Sequence, residues 1–359
     1  MKKKGLRASF LITKNIGLHA KPSISISIFE KIVEPILLYN CEITSAYMPN
    51  KWDYNHFIDR MWETGSELNK VTLGFLRQTL GVHKKTPNLA IHAETGKYPI
   101  SLTIFFRIVK YWVRLNSTEH PILKEARDAD RDIHLRNKPC WSKMVSYLLQ
   151  VTGVDRIPQN KNITINKSLQ NFKQKLQQLF ILWWKNEKIS KNTKLTPFYY
   201  KHKKTFSFET YLDNVPRHTR PFLTKIRISG HCLPVEVLRY TKTKIHRSKR
   251  LCPICNLGEV GNEEHYLLNC NNAELSFIRQ SFFKNIKEKV TQLKQFTNQN
   301  IIDYCFNLSD TNIQLITATF CKQILQTYKL ETDGAKIKPD APVITKSGRL
   351  VKKPIKLDL

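Results

Sequence analysis

Apolar residues recur along most of this chain at intervals of three and four, the spacing of helices with one buried face. Between Ser23 and Cys41, the residues Ile24, Ile28, Ile32, Ile36 and Tyr39 form one such stripe, and Pro35 within it is placed to kink or end the helix. Residues 5–47 thus read as a helix pair. A second stripe runs from 54 to 80 through Phe57, Met61, Leu68, Val71, Phe75 and Leu80, with Gly81 placed to terminate it. Thr86-Pro87 reads as a cap followed by proline at the first helical position, opening a short helix that ends near Gly96. Residues 99–116 are apolar enough for a core helix, with Arg107, Lys110 and Arg114 towards solvent. A further helix is expected over 139–151. The polar stretch 155–168, which contains Pro158, is the best internal boundary. Over 167–190, Leu169, Phe172, Leu176, Leu179 and Trp183 share a face. The cluster Phe180, Trp183 and Trp184 offers rings that can stack bases, but a core stripe is the preferred reading. Two more helices are expected at 274–296 and 311–329. Beyond 331 the chain is rich in Lys and Pro and reads as a disordered basic tail. The fold class is therefore mainly α, a multi-helix body, with no tandem repeat of solenoid type.

Charge alters this ordinary picture. Fifty-nine Lys and Arg stand against 29 Asp and Glu, a net charge of +30, although apolar residues make up a normal 41%. A surplus of this size calls for an anionic partner, and nucleic acid leads because phosphate contacts supply most of the affinity in such complexes. An acidic membrane surface comes second. No run approaches the ~20 apolar residues of a membrane span. No secretory signal is visible, since the apolar stretch after Met1-Lys2-Lys3-Lys4 breaks at Lys14 and Asn15. Five of the eight cysteines, Cys41, Cys140, Cys232, Cys305 and Cys321, are scattered singly among apolar neighbours and read as buried thiols of a reducing compartment. Nuclear or cytoplasmic localisation is expected.

The other three cysteines carry the sharpest chemistry. Cys252, Cys255, His265 and Cys270 are spaced C-x2-C-x9-H-x4-C. Three thiolates and an imidazole complete a tetrahedral structural Zn2+ site. Pro253 favours the tight turn between the first pair, and a short helical turn opened at Asn262 can supply the second pair. About 20 residues cannot bury a core, so the metal is expected to fold this knuckle. The site's formal charge of −1 invites nearby cations, and Arg247, Lys249 and Arg250 lie just upstream.

Those cations belong to a longer stretch. From Lys194 to Arg250 there are 14 Lys and Arg against 3 Asp and Glu. Within it, Arg239, Tyr240, Lys242, Lys244, Arg247, Lys249 and Arg250 are the candidate nucleic-acid contacts, the cations for phosphates and Tyr240 for stacking. A solvated basic loop or a nuclear import signal is the competing explanation.

The zinc run, with L-T-K-I-R-I-S-G-H-C-L-P-V-E-V-L-R-Y-T-K-T before it, resembles the C-terminal region of non-LTR (LINE-type) retrotransposon reverse transcriptases, in which a CCHC knuckle follows the polymerase. Phe29 to Ile43 resembles the family's thumb helix, and Leu80 to Ile100 resembles its connector. Patterning, spacing and charge give a helical, basic region over 167–250, a zinc knuckle over 251–272, C-terminal helices over 273–330 and the tail over 331–359, and the resemblance implies a helical thumb-like and connector region over 1–154. It also implies element RNA and target DNA as partners.

One departure decides the expected activity. The family's polymerase holds Mg2+ on an aromatic-x-Asp-Asp turn, and this chain contains no Asp-Asp dipeptide. The expectation is a non-catalytic nucleic-acid-binding remainder of such a polyprotein, with no catalytic residue. Part of a polymerase whose palm is encoded upstream, or a domesticated host interaction protein, stays open as an alternative. Asp128, Asp130 and Asp132 lack the glycine and glutamate of a calcium loop and read as a salt-bridged helix face rather than a Mg2+ site. His231-Cys232 reads as a packed or exposed loop pair. Neither a P-loop nor a GxSxG elbow is present.

Overall fold

The computed structural model describes residues 2–16, 20–44, 53–63, 66–138, 140–154, 162–189, 196–241, 245–307, 310–336, 343–344 and 350–351. Among these the protein is mainly helical. Its strands, Val343–Ile344 and Leu350–Val351, form one short antiparallel pair. The chain divides into two units, Met1–Gly230 with Cys305–Leu315, and His231–Tyr304 with Ile316–Leu359.

In the first unit, helix Pro22–Leu37 begins with proline in its first turn, where the missing N–H costs nothing. It runs two residues past Pro35. The face it buries is not the isoleucine stripe expected from the sequence. Pro22, Ile26, Phe29, Val33 and Leu37 are buried, whereas Ile24, Ile32 and Tyr39 are exposed. The buried set mixes steps of three and four and follows the 3.6-residue turn, while a strict step of four drifts off the face. Phe29 stacks on Phe75 at 4.4 Å, fixing this helix against Ser66–Leu80. The pattern over 54–80 is two helices rather than one, Tyr54–Arg60 and Ser66–Leu80.

Gly81 and Gly96 take left-handed conformations after their helices, as their positions required. Pro87, not Thr86, occupies the cap of Asn88–Thr95. Helix Ile100–Asn116 buries Ile100, Leu102, Ile104, Phe105, Ile108 and Val109. Helix Pro121–Leu135 buries no residue. It contributes Asp130, whose carboxylate accepts from the backbone N–H groups of Trp141 (3.0 Å) and Ser142 (2.9 Å) and caps helix Trp141–Thr152. Asp128 pairs with Arg127 at 2.9 Å and Arg131 at 3.8 Å. Helix Asn162–Ile189 buries Leu169, Phe172, Leu176, Phe180 and Trp184, again shifting from the expected stripe by one position at its C-terminal end.

In the second unit, helix Ala273–Lys289 is capped by the Asn272 side chain, which accepts from Leu275 N–H. Phe282 stacks on Phe320 at 3.9 Å, 9° from parallel. The helix carrying Phe320, Thr311–Lys336, continues past residue 331, where the tail was expected to begin. The rest of that tail lies outside the described residues, save the strand pair. So do residues 155–161 of the expected boundary; helix Asn162–Ile189 takes up the remainder.

Candidate metal centre

The site is built on a hairpin and a widened helical turn within the second unit. Leu251 and Val260 pair as an antiparallel bridge, Cys252 N–H donates to Glu259 O at 2.9 Å, and Gly261 N–H donates to Arg250 O at 2.9 Å. The loop these bonds close contains Cys252, Pro253 and Cys255. Gly261 lies so close to Pro234 that a Cβ there would sit 2.7 Å from the proline ring, so only glycine lets the hairpin seat.

The chain then turns into its helical segment at Asn262, whose side-chain oxygen accepts from His265 N–H at 2.8 Å, as expected for the residue that opens the turn. Residues five apart on an α-helix point about 140° away from one another. Here His265–Asn269 is a π turn, closed by Cys270 N–H donating to His265 O at 2.8 Å. The wider turn brings His265 and Cys270 round to one side.

The result is a single cluster. One ligand atom from each of Cys252, Cys255, His265 and Cys270 lies within 4.8 Å of every other. Cys255 Sγ is 3.4 Å from His265 Nε2, and Cys252 Sγ is 4.0 Å from Cys270 Sγ. Cys252, His265 and Cys270 are buried and Cys255 is half-buried, so the cluster opens to solvent on the Cys255 side. Such a group can hold a metal ion.

The surroundings are set for charge. Glu259 Oε2 lies 2.8 Å from His265 Nδ1, which keeps the hydrogen on that nitrogen and leaves the Nε2 lone pair towards the thiols. Tyr266 hydroxyl lies 3.1 Å from Cys252 Sγ. The hydrogen bond from Cys270 is the main cause that pushes the Cys252 thiol down to about 3. That same bond and burial push Cys270 up, and burial pushes Cys255 up. Without an added cation, one thiolate forms at the expense of the other two. Burial would lower the His265 pKa, but its bonds to Cys252 and Glu259 raise it. Buried Arg279 donates to the carbonyls of Cys270 and Tyr266 and holds the turn from below. Glu259, Tyr266 and Arg279 carry no spacing signature of their own and were not anticipated.

The basic stretch divides by role. Arg250 donates through Nε and Nη2 to Ile245 O and through Nη1 to Val235 O, so it ties the hairpin to the preceding segment. Arg239 approaches the Glu236 carboxylate at 3.5 Å. Tyr240 and Lys249 are exposed and Arg247 is half-buried. Lys242 and Lys244 lie outside the described residues. His231 is packed, with Nε2 3.1 Å from Glu263 Oε1, while Cys232 is exposed rather than buried as expected, unlike Cys41, Cys140, Cys305 and Cys321, which are buried.

Comparison with known proteins gives no match, whether to a family model, a curated protein or a solved structure. No helix among the described residues is long and apolar enough to cross a membrane.

Proposed function

We propose that this chain is a non-catalytic nucleic-acid-binding protein whose Cys3His cluster holds one structural Zn2+ and presents a basic surface to phosphates. The convergence of four ligand atoms around a histidine already oriented by Glu259 carries the proposal. A zinc tetrahedron with bonds of 2.0–2.3 Å puts sulfur–sulfur edges at about 3.8 Å and sulfur–nitrogen edges at about 3.6 Å. The separations of 4.0 and 3.4 Å sit close to those edges. Three thiolates and an imidazole are also a donor set that suits zinc better than magnesium or calcium.

The net charge of +30 supports an anionic partner, and exposed Lys249 with half-buried Arg247 lies directly before the hairpin. In this reading the metal fixes the hairpin, Arg250 ties the hairpin to the basic segment, and Lys249, Arg247 and Tyr240 meet the nucleic acid. The order of thumb-like, connector-like and knuckle segments favours a non-LTR retrotransposon origin, with element RNA and target DNA as ligands. No catalytic residue is assigned to these 359 residues, which contain no adjacent aspartates.

Two measurements test the proposal. Elemental analysis should find one zinc per chain, lost when Cys252→Ser and Cys270→Ser are combined. Affinity for single-stranded RNA and DNA, followed by fluorescence anisotropy, should fall with salt at a logarithmic slope of about −0.7 per phosphate contacted. Replacing Arg247 and Lys249 with Gln should reduce the magnitude of that slope by about 0.7 each. A flat salt response overturns the nucleic-acid part, and a zinc-free protein overturns the metal part.

A further inference from the structure

The first unit contains a cleft of about 370 Å³, within the size range of small-ligand sites. One wall is aromatic. Trp62 meets Phe180 edge-on at 5.1 Å, and Trp183 lies 5.6 Å from Phe180 and 6.3 Å from Trp62. The polar residues of the lining are Asp59, Glu63, Asn69, Lys70, Asn88 and His92. His92 is 2% exposed, and its Nδ1 lies 2.8 Å from the Lys97 carbonyl oxygen. That contact requires the hydrogen on Nδ1 and leaves Nε2 as a bare lone pair, which is buried with no hydrogen-bond partner. Burial pushes the His92 pKa down to about 4, so the ring is neutral at pH 7. Asn69 Oδ1 is likewise buried without a partner. Asp59 and Glu63, both exposed residues, add two carboxylates to the lining. The cation in the lining, Lys70, is ion-paired with Glu67.

We propose that this cleft binds an organic cation bearing N–H donors, specifically an alkylguanidinium such as an arginine side chain. Aromatic faces attract cations, and the carboxylates repel phosphate and carboxylate ligands. The exposed carboxylates of Asp59 and Glu63 can accept N–H donors, which a quaternary ammonium lacks and a guanidinium carries five of in one plane. In a chain with a net charge of +30, an acceptor-lined cleft of this kind selects a ligand of the opposite class from the one the basic surface attracts.

Calorimetric titration of the full chain tests this with N-acetylarginine methylamide and its neutral isostere, N-acetylcitrulline methylamide. The arginine probe should bind saturably at one site, and the citrulline probe about tenfold more weakly. Glu63→Gln and Asp59→Asn should each weaken the arginine probe about threefold, with zinc content and helical circular dichroism unchanged. Trp183→Leu should weaken it about fivefold. Because Glu63 is exposed, its variant keeps the test valid even if the tryptophan variant loses its fold. Tighter binding of agmatine than of the arginine probe would assign the site to a free small cation, and the reverse order would assign it to a peptide side chain. Equal binding of citrulline, no saturation up to about 10 mM, unchanged affinity in the carboxylate variants, or guanosine monophosphate binding through these residues instead would overturn the assignment.

Discussion

The ion network around Glu94 and the thiol cluster around Cys252 both bury ionisable side chains, and they balance charge in different ways. In the first, the Glu94 carboxylate accepts from Arg227 Nε at 2.7 Å and from the Tyr211 hydroxyl at 2.8 Å. Arg227 also donates to Phe306 O and lies 3.4 Å from Glu209, which is paired with buried Lys203. Two acids face two bases, so the set is neutral and needs no counter-ion from outside the chain. In the second, three thiols and an imidazole converge with no lysine or arginine among them, and only one thiol ionises readily. A network that closes on itself is part of the fold. A network that closes only around a cation couples the fold to that cation.

Removing the metal is the strongest way to test this contrast. Structural zinc in small peptides contributes about 10–16 kcal/mol of apparent binding free energy. Chelation with excess EDTA should raise amide exchange by orders of magnitude across Arg250 to Leu275, while the amides of Asn88–Thr95 and Arg220–Arg227 keep their protection. Equal loss in both segments, or loss in neither, would break the comparison. Arg227→Met comes next in size. It leaves Glu94 and Glu209 with Lys203 alone and should cost about 3–5 kcal/mol in denaturant unfolding. Adding Glu94→Leu should recover most of that loss, because no buried charge is then left without its partner. A single-variant cost below about 1 kcal/mol would mean that the pair is not desolvated as its burial implies.

How far the sequence revealed these two sites depends on how far apart their parts lie along the chain. The four metal ligands fall within nineteen residues, and their spacing reports their convergence directly. Glu94 and Arg227 are 133 residues apart, and nothing local to either marks it as the other's partner. Glu259, Tyr266 and Arg279 were invisible for a related reason: a group that orients a ligand obeys no fixed spacing, only the fold's geometry. Helix existence was legible throughout the body because stripes of three and four persist over many turns. Helix facing was less so. Ile24, Ile28 and Ile32 look as core-like as Ile26, Phe29 and Val33, and a helix apolar on both sides gives its period without its orientation. The basic stretch showed its charge but not its division of labour, since Arg250 holds backbone carbonyls as firmly as a phosphate-binding arginine would hold phosphate.

His92 extends the comparison to a buried group that is balanced by staying neutral. Its pKa falls from 6.5 to about 4, chiefly through burial, with Arg77 adding to the effect and the hydrogen bond to the Lys97 carbonyl opposing it. The unfolded chain therefore binds a proton between these values that the folded chain refuses. Stability rises with pH through this window and is lost as pH falls. Between pH 7 and pH 5 the loss from this residue should be about 2 kcal/mol, read as the difference in denaturant stability between the protein and a His92→Gln variant at each pH. If the two lose stability in parallel, the ring does not titrate as a buried neutral group.

The smallest effect separates orientation from charge at the metal centre. Glu259 is half-exposed, and its carboxylate meets His265 Nδ1 at 2.8 Å. Partners of this kind are worth about 10- to 100-fold in metal affinity. Solvent screening at Glu259 puts the expected loss for Glu259→Gln near the lower end, about tenfold or about 1.4 kcal/mol, in a zinc competition titration against a chromogenic chelator. The glutamine keeps an oxygen that can accept from Nδ1–H, so it preserves ring orientation and removes only the negative charge. Glu259→Ala removes both. If the alanine variant loses clearly more affinity than the glutamine variant, Glu259 acts mainly by fixing the tautomer and pointing Nε2 at the thiols. If the two lose the same amount, the carboxylate acts through its charge, and the imidazole is held in place by the Asn262 bond to the His265 backbone and by the packing around the turn.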